Sequence, residues 1–537
     1  MSRAARLLTL FALSLGACLV GVELMITAVA LPAILADLAD WTELRRASWI
    51  INAYLLAYVA VMPLAGRAAD RYALPVLFGL ALAVFAAGSL LAGAAPDLDW
   101  LIGARIVQGA GAGAIVPLAT AGASHLFEGN ARARAIGVVG ALTFVGMALG
   151  PFLGALVLQR FELTLTIAGL GLAGGVLADA LAPAWRWIFY LGAPLALLAG
   201  LYVWAAAPRW HAPRTGQRLD VLGAGLFTTA LAAGLLALTL LGTDQLPGAL
   251  DPALLAVAAA AAALGALLRF ARASHPFIEL RLFRNRTFSG AVLLSLLTGY
   301  GLATAIIGGA VFVDRVRYDG PAEQQLALGA LAGAVAIGAL ASGLLLRLLG
   351  IVPLSVGGLL VSICGLLLLA GLKVESDLEP LVAGLALFGM GFGLTVTARS
   401  TAAVEAVGRA AFGLASAAVT VARMIGMAVG LAALTVLGSN RIEALSVVLV
   451  DQAARDAILP PELQGRPLQD LLVVNVLEAW AAEQAASILG GLFLLAAGVT
   501  ALAILPTLAM RGAAVPLDEP SPAHRAAGEP RAVLPPG

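Results

Sequence analysis

Leu98-Asp99-Trp100-Leu101-Ile102-Gly103-Ala104-Arg105-Ile106-Val107-Gln108-Gly109-Ala110-Gly111 opens a stretch that stays apolar as far as residue 125. At 1.5 Å per residue such a stretch crosses a ~30 Å hydrocarbon core as a helix. Runs of the same kind recur from one end of the 537-residue chain to the other. With 61% hydrophobic and 12% charged residues, and a mean hydropathy of +0.98, the chain could not cover itself as a soluble protein. Its 61 glycines suit helices that pack closely in lipid.

Fourteen spans are expected. The first six cover residues 7–36, 47–65, 74–95, 98–125, 136–159 and 187–207; a central pair covers 220–241 and 252–270. The last six cover 287–313, 325–347, 351–371, 381–399, 411–438 and 486–510. This divides the chain into an N-terminal half (1–207), two linker helices (208–286), a C-terminal half (287–510) and a disordered cytoplasmic tail (511–537). Arginine placement sets the expected orientation in a bacterial inner membrane, both termini inside. The inner loops hold Arg67, Arg71, Arg132, Arg134, Arg209, Arg214, Arg218, Arg269, Arg272, Arg281, Arg284, Arg286, Arg399 and Arg409. All eight tryptophans, Trp185 included, fall at span ends or in outer loops, as an interfacial belt requires. Two outer segments stand apart. Residues 162–182 read as a hairpin or re-entrant insertion, with a helix lying on the membrane as the alternative. Residues 440–485 read as an extension in which the last two helices continue outward. Pro467 starts the second of them, and two short surface helices are the alternative.

Charges inside the spans cost about 2.5–3.5 kcal/mol each on insertion scales and are functional by default. Glu23 lies 16 residues into the first span and Arg105 lies 20 residues from the inner end of the fourth. At 1.5 Å per residue these depths differ by about one turn, so the two can pair. Desolvation raises and a neighbouring Arg lowers the proton affinity of such a carboxyl, which suits a proton-coupling site. Arg423, with no acidic residue at similar depth, and Gln108 are candidates for coupling or substrate contact, against plain helix packing. His125, His211, His275 and His524 are scattered, Cys18 and Cys364 lie in apolar runs, and no Walker-type phosphate loop occurs. An enzyme, a metal site and ATP as energy source are therefore not expected; protons would be the coupling ion and no cofactor is needed.

Several motifs carry a resemblance. Gly66-Arg67-Ala68-Ala69-Asp70-Arg71 ends the second span, Arg105 to Gly111 lies in the fourth, and Gly146, Gly150, Pro151 and Gly154 lie in the fifth. Trp185-Arg186-Trp187-Ile188-Phe189 and Pro276-Phe277-Ile278-Glu279-Leu280 precede the sixth and ninth. The set resembles the fourteen-helix drug:proton antiporters of the major facilitator superfamily. Leu55 to Leu64 and Ala415 to Met427 resemble the mycobacterial triacylglycerol and multidrug exporters among them. The resemblance implies two six-helix halves plus two central helices, and a proton-coupled exporter of lipids or amphipathic drugs by alternating access. It also implies a periplasmic lipid-carrier protein as partner, and gating roles for Gly66, Asp70, Arg71, Gly146, Gly150, Pro151 and Gly154. Ala73, Leu74 and Pro75 depart from the family's loop motif, and Thr143 and Phe144 stand where those exporters carry an acid. An importer of a small solute, which would need more polar midplane residues, and a non-transporting lipid-binding scaffold are the rival readings.

Overall fold

The computed structural model describes residues 2–38, 49–160, 181–206, 220–240, 251–273, 276–278, 280–407, 412–450, 452–467 and 470–510. Fourteen long helices make up nearly all of them. The first six are α1 (Arg3–Leu38), α2 (Trp49–Arg71), α3 (Leu74–Gly93), α4 (Leu98–Leu126), α5 (Gly129–Arg160) and α6 (Ala184–Ala206). A pair follows, α7 (Val221–Leu240) and α8 (Pro252–Arg272). The last six are α9 (Arg286–Val311), α10 (Pro321–Leu349), α11 (Ile351–Ala370), α12 (Leu378–Val407), α13 (Phe412–Val450) and α14 (Leu471–Leu502). Thirteen are long and apolar enough to cross a membrane; α13 adds a shorter apolar stretch, Leu414–Gly430. The chain is a multi-pass, all-α membrane protein.

Local chemistry places the helix ends. The Asp97 carboxylate accepts the Trp100 amide at 2.8 Å and starts α4, and Asn285 accepts the Thr287 amide at 2.9 Å and starts α9. Gly350, at φ 79°, turns the chain between α10 and α11 in a conformation that side-chain-bearing residues rarely adopt.

The packing repeats with an offset of eight helices. α1 packs on α5 as α9 packs on α13, α2 on α4 as α10 on α12, and α3 on α6 as α11 on α14. Glycines mark the repeat. A Cβ on Gly146 would run into the Cys18 carbonyl of α1, and one on Gly426 into the Leu296 carbonyl of α9. Gly21 faces the Thr143 carbonyl as Gly299 faces the Arg423 carbonyl. Residues 143 and 423 are thus equivalent positions in two halves of one design. The halves meet where α5 touches α10 and α12, and where α2 and α4 touch α13; α7 leans on α2 and α13.

Three expectations change. The twelfth helix does not end at residue 399 but runs to Val407, so Arg399 is 1% exposed and no loop residue. Trp185 is no belt residue: it is 2% exposed and donates to Asp37 at 3.0 Å, beside Arg186, which donates to the Gly93 and Ala95 carbonyls. Pro467 does not begin the last helix; Asp470 caps it, accepting the Leu472 amide at 3.0 Å. α13, by contrast, is one helix of 39 residues, about 58 Å long at 1.5 Å per residue. Residues 162–180 of the outer insertion, Glu279, Arg409 and the tail from 511 lie outside the described residues.

Candidate functional site

α1 and α4 carry the buried acid and the buried base to one level. Glu23 is 3% exposed and Arg105 1% exposed, and an Arg105 guanidinium nitrogen forms an ion pair with Glu23 Oε1. Thr27, one turn on along α1, donates to the same oxygen at 3.2 Å. The guanidinium is held on its other sides. Its Nε donates to the Ile50 carbonyl at 3.0 Å, and the same terminal nitrogen that meets Glu23 also donates to Gln108 Oε1 at 2.6 Å. Gln108 Nε2 donates to the Ser89 hydroxyl at 3.1 Å, which donates to the Phe189 carbonyl at 2.8 Å. The Tyr54 ring lies 4.1 Å beneath the guanidinium carbon. Both side chains are buried from solvent, and these bonds fix the geometry of the pair. Breaking a buried pair from one side costs about 3–5 kcal/mol because it strands the other charge. Gln108 belongs to this network.

The aromatic chain continues towards the second half. Tyr54 stacks on Tyr58 at 6.0 Å between ring centroids, and both hydroxyls are buried without a hydrogen-bond partner among the described residues. Tyr58 lies within electrostatic reach of Arg423 on α13, whose Nε is also buried and unpartnered. The Arg423 guanidinium stands 5.7 Å from the Phe144 ring of α5. Phe144 meets Phe392 edge to face at 5.8 Å, and Arg399 stands 4.7 Å over the other ring of that pair. Two guanidinium groups therefore clasp two aromatic rings across the half-to-half boundary. Arg399 donates to the Thr298 hydroxyl at 2.6 Å. Among the described residues neither Arg399 nor Arg423 has a carboxylate partner. Cation–π contact is worth up to about 2 kcal/mol when desolvated, well short of the several kcal/mol that burying a cation costs.

Asp70 is a further buried charge. It is 3% exposed, at the end of α2, and its Oδ2 accepts the Leu414 amide at 3.0 Å. The four free amides at the start of α13 and its positive dipole end favour a carboxylate there. The bond joins the halves at the face that carries Arg67, Arg71, Arg132 and Arg134. Phe412 reinforces it, with the His125 ring at 5.2 Å and the Arg132 guanidinium at 5.0 Å. Arg71 instead lies over the adjacent Tyr72 ring at 5.2 Å. Arg67 donates to the Pro276 carbonyl at 3.1 Å. There Asp220 gathers the Phe277 amide and Arg269, so the linker pair is clamped to the first half.

Gly146 and Gly150 let α1 and α5 touch; a Cβ on Gly150 would sit 2.8 Å from the Val22 carbonyl. Gly66 and Gly154 are buried on α2 and α5, and α5 continues through Pro151 to Arg160. Towards the opposite face, Met25, Phe144, Met147, Ile306, Leu328 and Val335 line a side cleft between the halves. Its cavity is about 30 Å3, room for a water or two and not an acyl chain.

Glu23, Arg105 and Gln108 are brought together; Asp70, with Gly66 and Arg71 on the same helix end, works elsewhere; Arg423 sits between. Arg399 and Tyr54 were missed by sequence reasoning. The signal for Arg399 was the absence of any helix breaker in Thr395 to Val407, which argued against a span ending at the arginine.

Comparison with known proteins adds the following. Residues 13–431 match the sequence profile of the Major Facilitator Superfamily. A triacylglyceride transporter of Mycolicibacterium hassiacum is 34% identical over 74% of this chain and 73% of its own length. Another, of Mycolicibacterium smegmatis, is 30% identical over 97% of this chain and 90% of its own. Among solved structures, a bacterial homologue of the human lysosomal transporter Spinster superposes with a TM-score of 0.59 at 18% identity, covering 95% of this chain and 99% of that one. The proton:xylose symporter XylE gives 0.54 at 14% identity, over 93% and 95%. These two bear on the fold alone.

Proposed function

This chain belongs to the Major Facilitator Superfamily, and we propose that it is a proton-coupled exporter of lipophilic molecules, triacylglycerol-like lipids foremost and amphipathic drugs besides. The observation that carries the reading is the buried Glu23–Arg105 pair. The names of its relatives support the lipid cargo. The apolar side cleft supports it too, because, once widened in a more open state, it would admit a lipid sideways from the membrane.

With the basic face placed at the cytoplasm of an inner membrane, the conformation is latched inside by Asp70 and Phe412. A proton arriving from outside would neutralise Glu23 and remove its attraction for Arg105. Arg105 keeps Ile50 and Gln108 as partners, so it stays on α4 while α1 is released. α1 packs on α5, and α5 on α10 of the other half, so the release reaches the boundary that must rock. Proton loss to the cytoplasm would restore the pair. The outward extension of α13 and α14 would hand lipid to a periplasmic carrier protein.

The test is reconstitution in liposomes with an imposed pH gradient, following labelled triolein and a lipophilic dye beside a pH probe. Cargo movement that depends on the gradient, with protons moving the opposite way, is expected. Cargo movement indifferent to the gradient would remove the coupling reading; no movement of either cargo would leave a lipid-binding scaffold.

A further inference from the structure

The two halves repeat in packing but not in charge. In the first half the buried cation, Arg105, has a carboxylate. In the second half Arg399 and Arg423 have none among the described residues, and they are close enough to repel one another. The position equivalent to Arg423 in the first half is Thr143, a neutral residue, so the excess cation is particular to α13.

We propose that Arg423, Tyr58 and Arg399 form a binding site for the acidic head group, carboxylate or phosphate, of an acyl-chain amphiphile, which this transporter handles in addition to neutral lipid. Three observations on independent residues converge. The Arg423 Nε is buried and has no partner among the described residues. The Tyr58 hydroxyl, on a side chain with 0% exposure and within electrostatic reach of Arg423, is unpartnered as well. Arg399 supplies a second uncompensated charge at 1% exposure, anchored by Thr298. A buried donor left unmade is costly, and a guanidinium matches a carboxylate or phosphate through two parallel N–H donors. The tail has a path. Phe144, whose ring Arg423 faces, also lines the apolar side cleft with Met25, Met147, Ile306 and Val335. A head at Arg423 and a chain along that cleft describe one amphiphile. The cavity there must widen to admit it, so binding belongs to a more open state than this one.

The inference rests on the lipid-export reading, and the test separates the two. Purified protein in detergent is titrated with radiolabelled oleate, and oleate is competed with methyl oleate, lysophosphatidate, triolein and inorganic phosphate. Oleate and lysophosphatidate should bind roughly ten- to hundredfold tighter than methyl oleate, the value of a hydrogen bond to a charged group. Arg423→Gln and Arg399→Gln should remove most of that difference, Tyr58→Phe a smaller part, and Arg423→Lys should restore part of it. Methyl oleate binding as tightly as oleate overturns the proposal without recourse to any variant, whatever the variants' folding. Displacement of oleate by inorganic phosphate at equal concentration also overturns it, in favour of a free-anion site. Triolein export that persists while the oleate preference is absent would sink this inference and leave the export reading standing.

Discussion

Glu23→Gln keeps the shape and the hydrogen bonds of Glu23 but has no proton to exchange. Gradient-driven export should therefore vanish while the protein remains folded and still binds cargo. Normal gradient-driven export by this variant in liposomes would remove Glu23 from the coupling role. Arg105→Ala strands Glu23 in a buried site, and a cost of about 3–5 kcal/mol is expected from a broken buried pair. Arg105→Lys should be milder, since it keeps the charge, but a single ammonium cannot reach Ile50, Gln108 and Glu23 in the guanidinium's fixed fork. Thermal unfolding of the two variants in detergent should rank them in that order. Glu23 and Arg105 were legible in sequence because a charge in an apolar run stands out and helix rise gives its depth. Asp70 was legible as a motif, but its partner, the Leu414 amide, lies 344 residues away and no local pattern announces it. Arg399 was misplaced because the arginine was taken as the end of the apolar run, although no helix breaker follows it before Val407.

At the scale of elements, apolar length located the helices well, whereas which of them touch, at glycines such as Gly146 and Gly426, became visible only in the structure. Gly146→Val should clash with the backbone of α1 at Cys18, backbone against side chain with little room to yield. A loss of about 1–3 kcal/mol or more is expected from such overpacking, read as a lower melting temperature. Helix starts were harder, because one carboxylate decides them. Arg466, and then the Leu472 amide, hold the Asp470 carboxyl below the usual carboxylate range. A lowered folded-state value means that this contribution is complete above the unfolded value of about 3.9 and is lost as pH falls through the folded one. Protection of the first-turn amides of α14, taken relative to the intrinsic exchange rate at each pH, should therefore fall in acid, and Asp470→Ala should show the reduced protection at neutral pH too. The length of α13 has its own consequence. Beyond it, the start of α14 carries apolar side chains, Leu471 and Leu472, 77% and 55% exposed. Shortening both helices by matched whole turns should lower lipid release more than dye efflux when both are measured in the same membranes. Equal loss of the two would assign the extension a structural role.

At the scale of the molecule, the halves are joined on one face by a small contact. The Asp70–Leu414 bond is a charged hydrogen bond between α2 and the start of α13, worth about 1.5–3 kcal/mol. Removing it should shift the balance between the latched and unlatched conformations by roughly ten- to hundredfold, since each 1.4 kcal/mol is a factor of ten. Asp70→Ala deletes the acceptor, whereas Asp70→Asn keeps an acceptor but loses the charge, so the second should fall between the first and the native protein. Spin labels can read this directly. Tyr72 and Leu349, 45% and 51% exposed, end α2 and α10 on the latched face, while Trp100 and Leu326, 50% and 55% exposed, start α4 and α10 on the other. In Asp70→Ala the first pair should move apart and the second pair should close, because two rigid halves rocking about a common boundary open one face as they shut the other. Export turnover should fall in the same variant, as the return to the latched state becomes unfavourable. If the latched-face distance lengthens while the opposite-face distance stays fixed, Asp70 merely pins a local helix end. If neither distance changes, the contact is no latch and alternating access in this protein is governed elsewhere, with the Phe412 cluster against His125 and Arg132 the next place to cut.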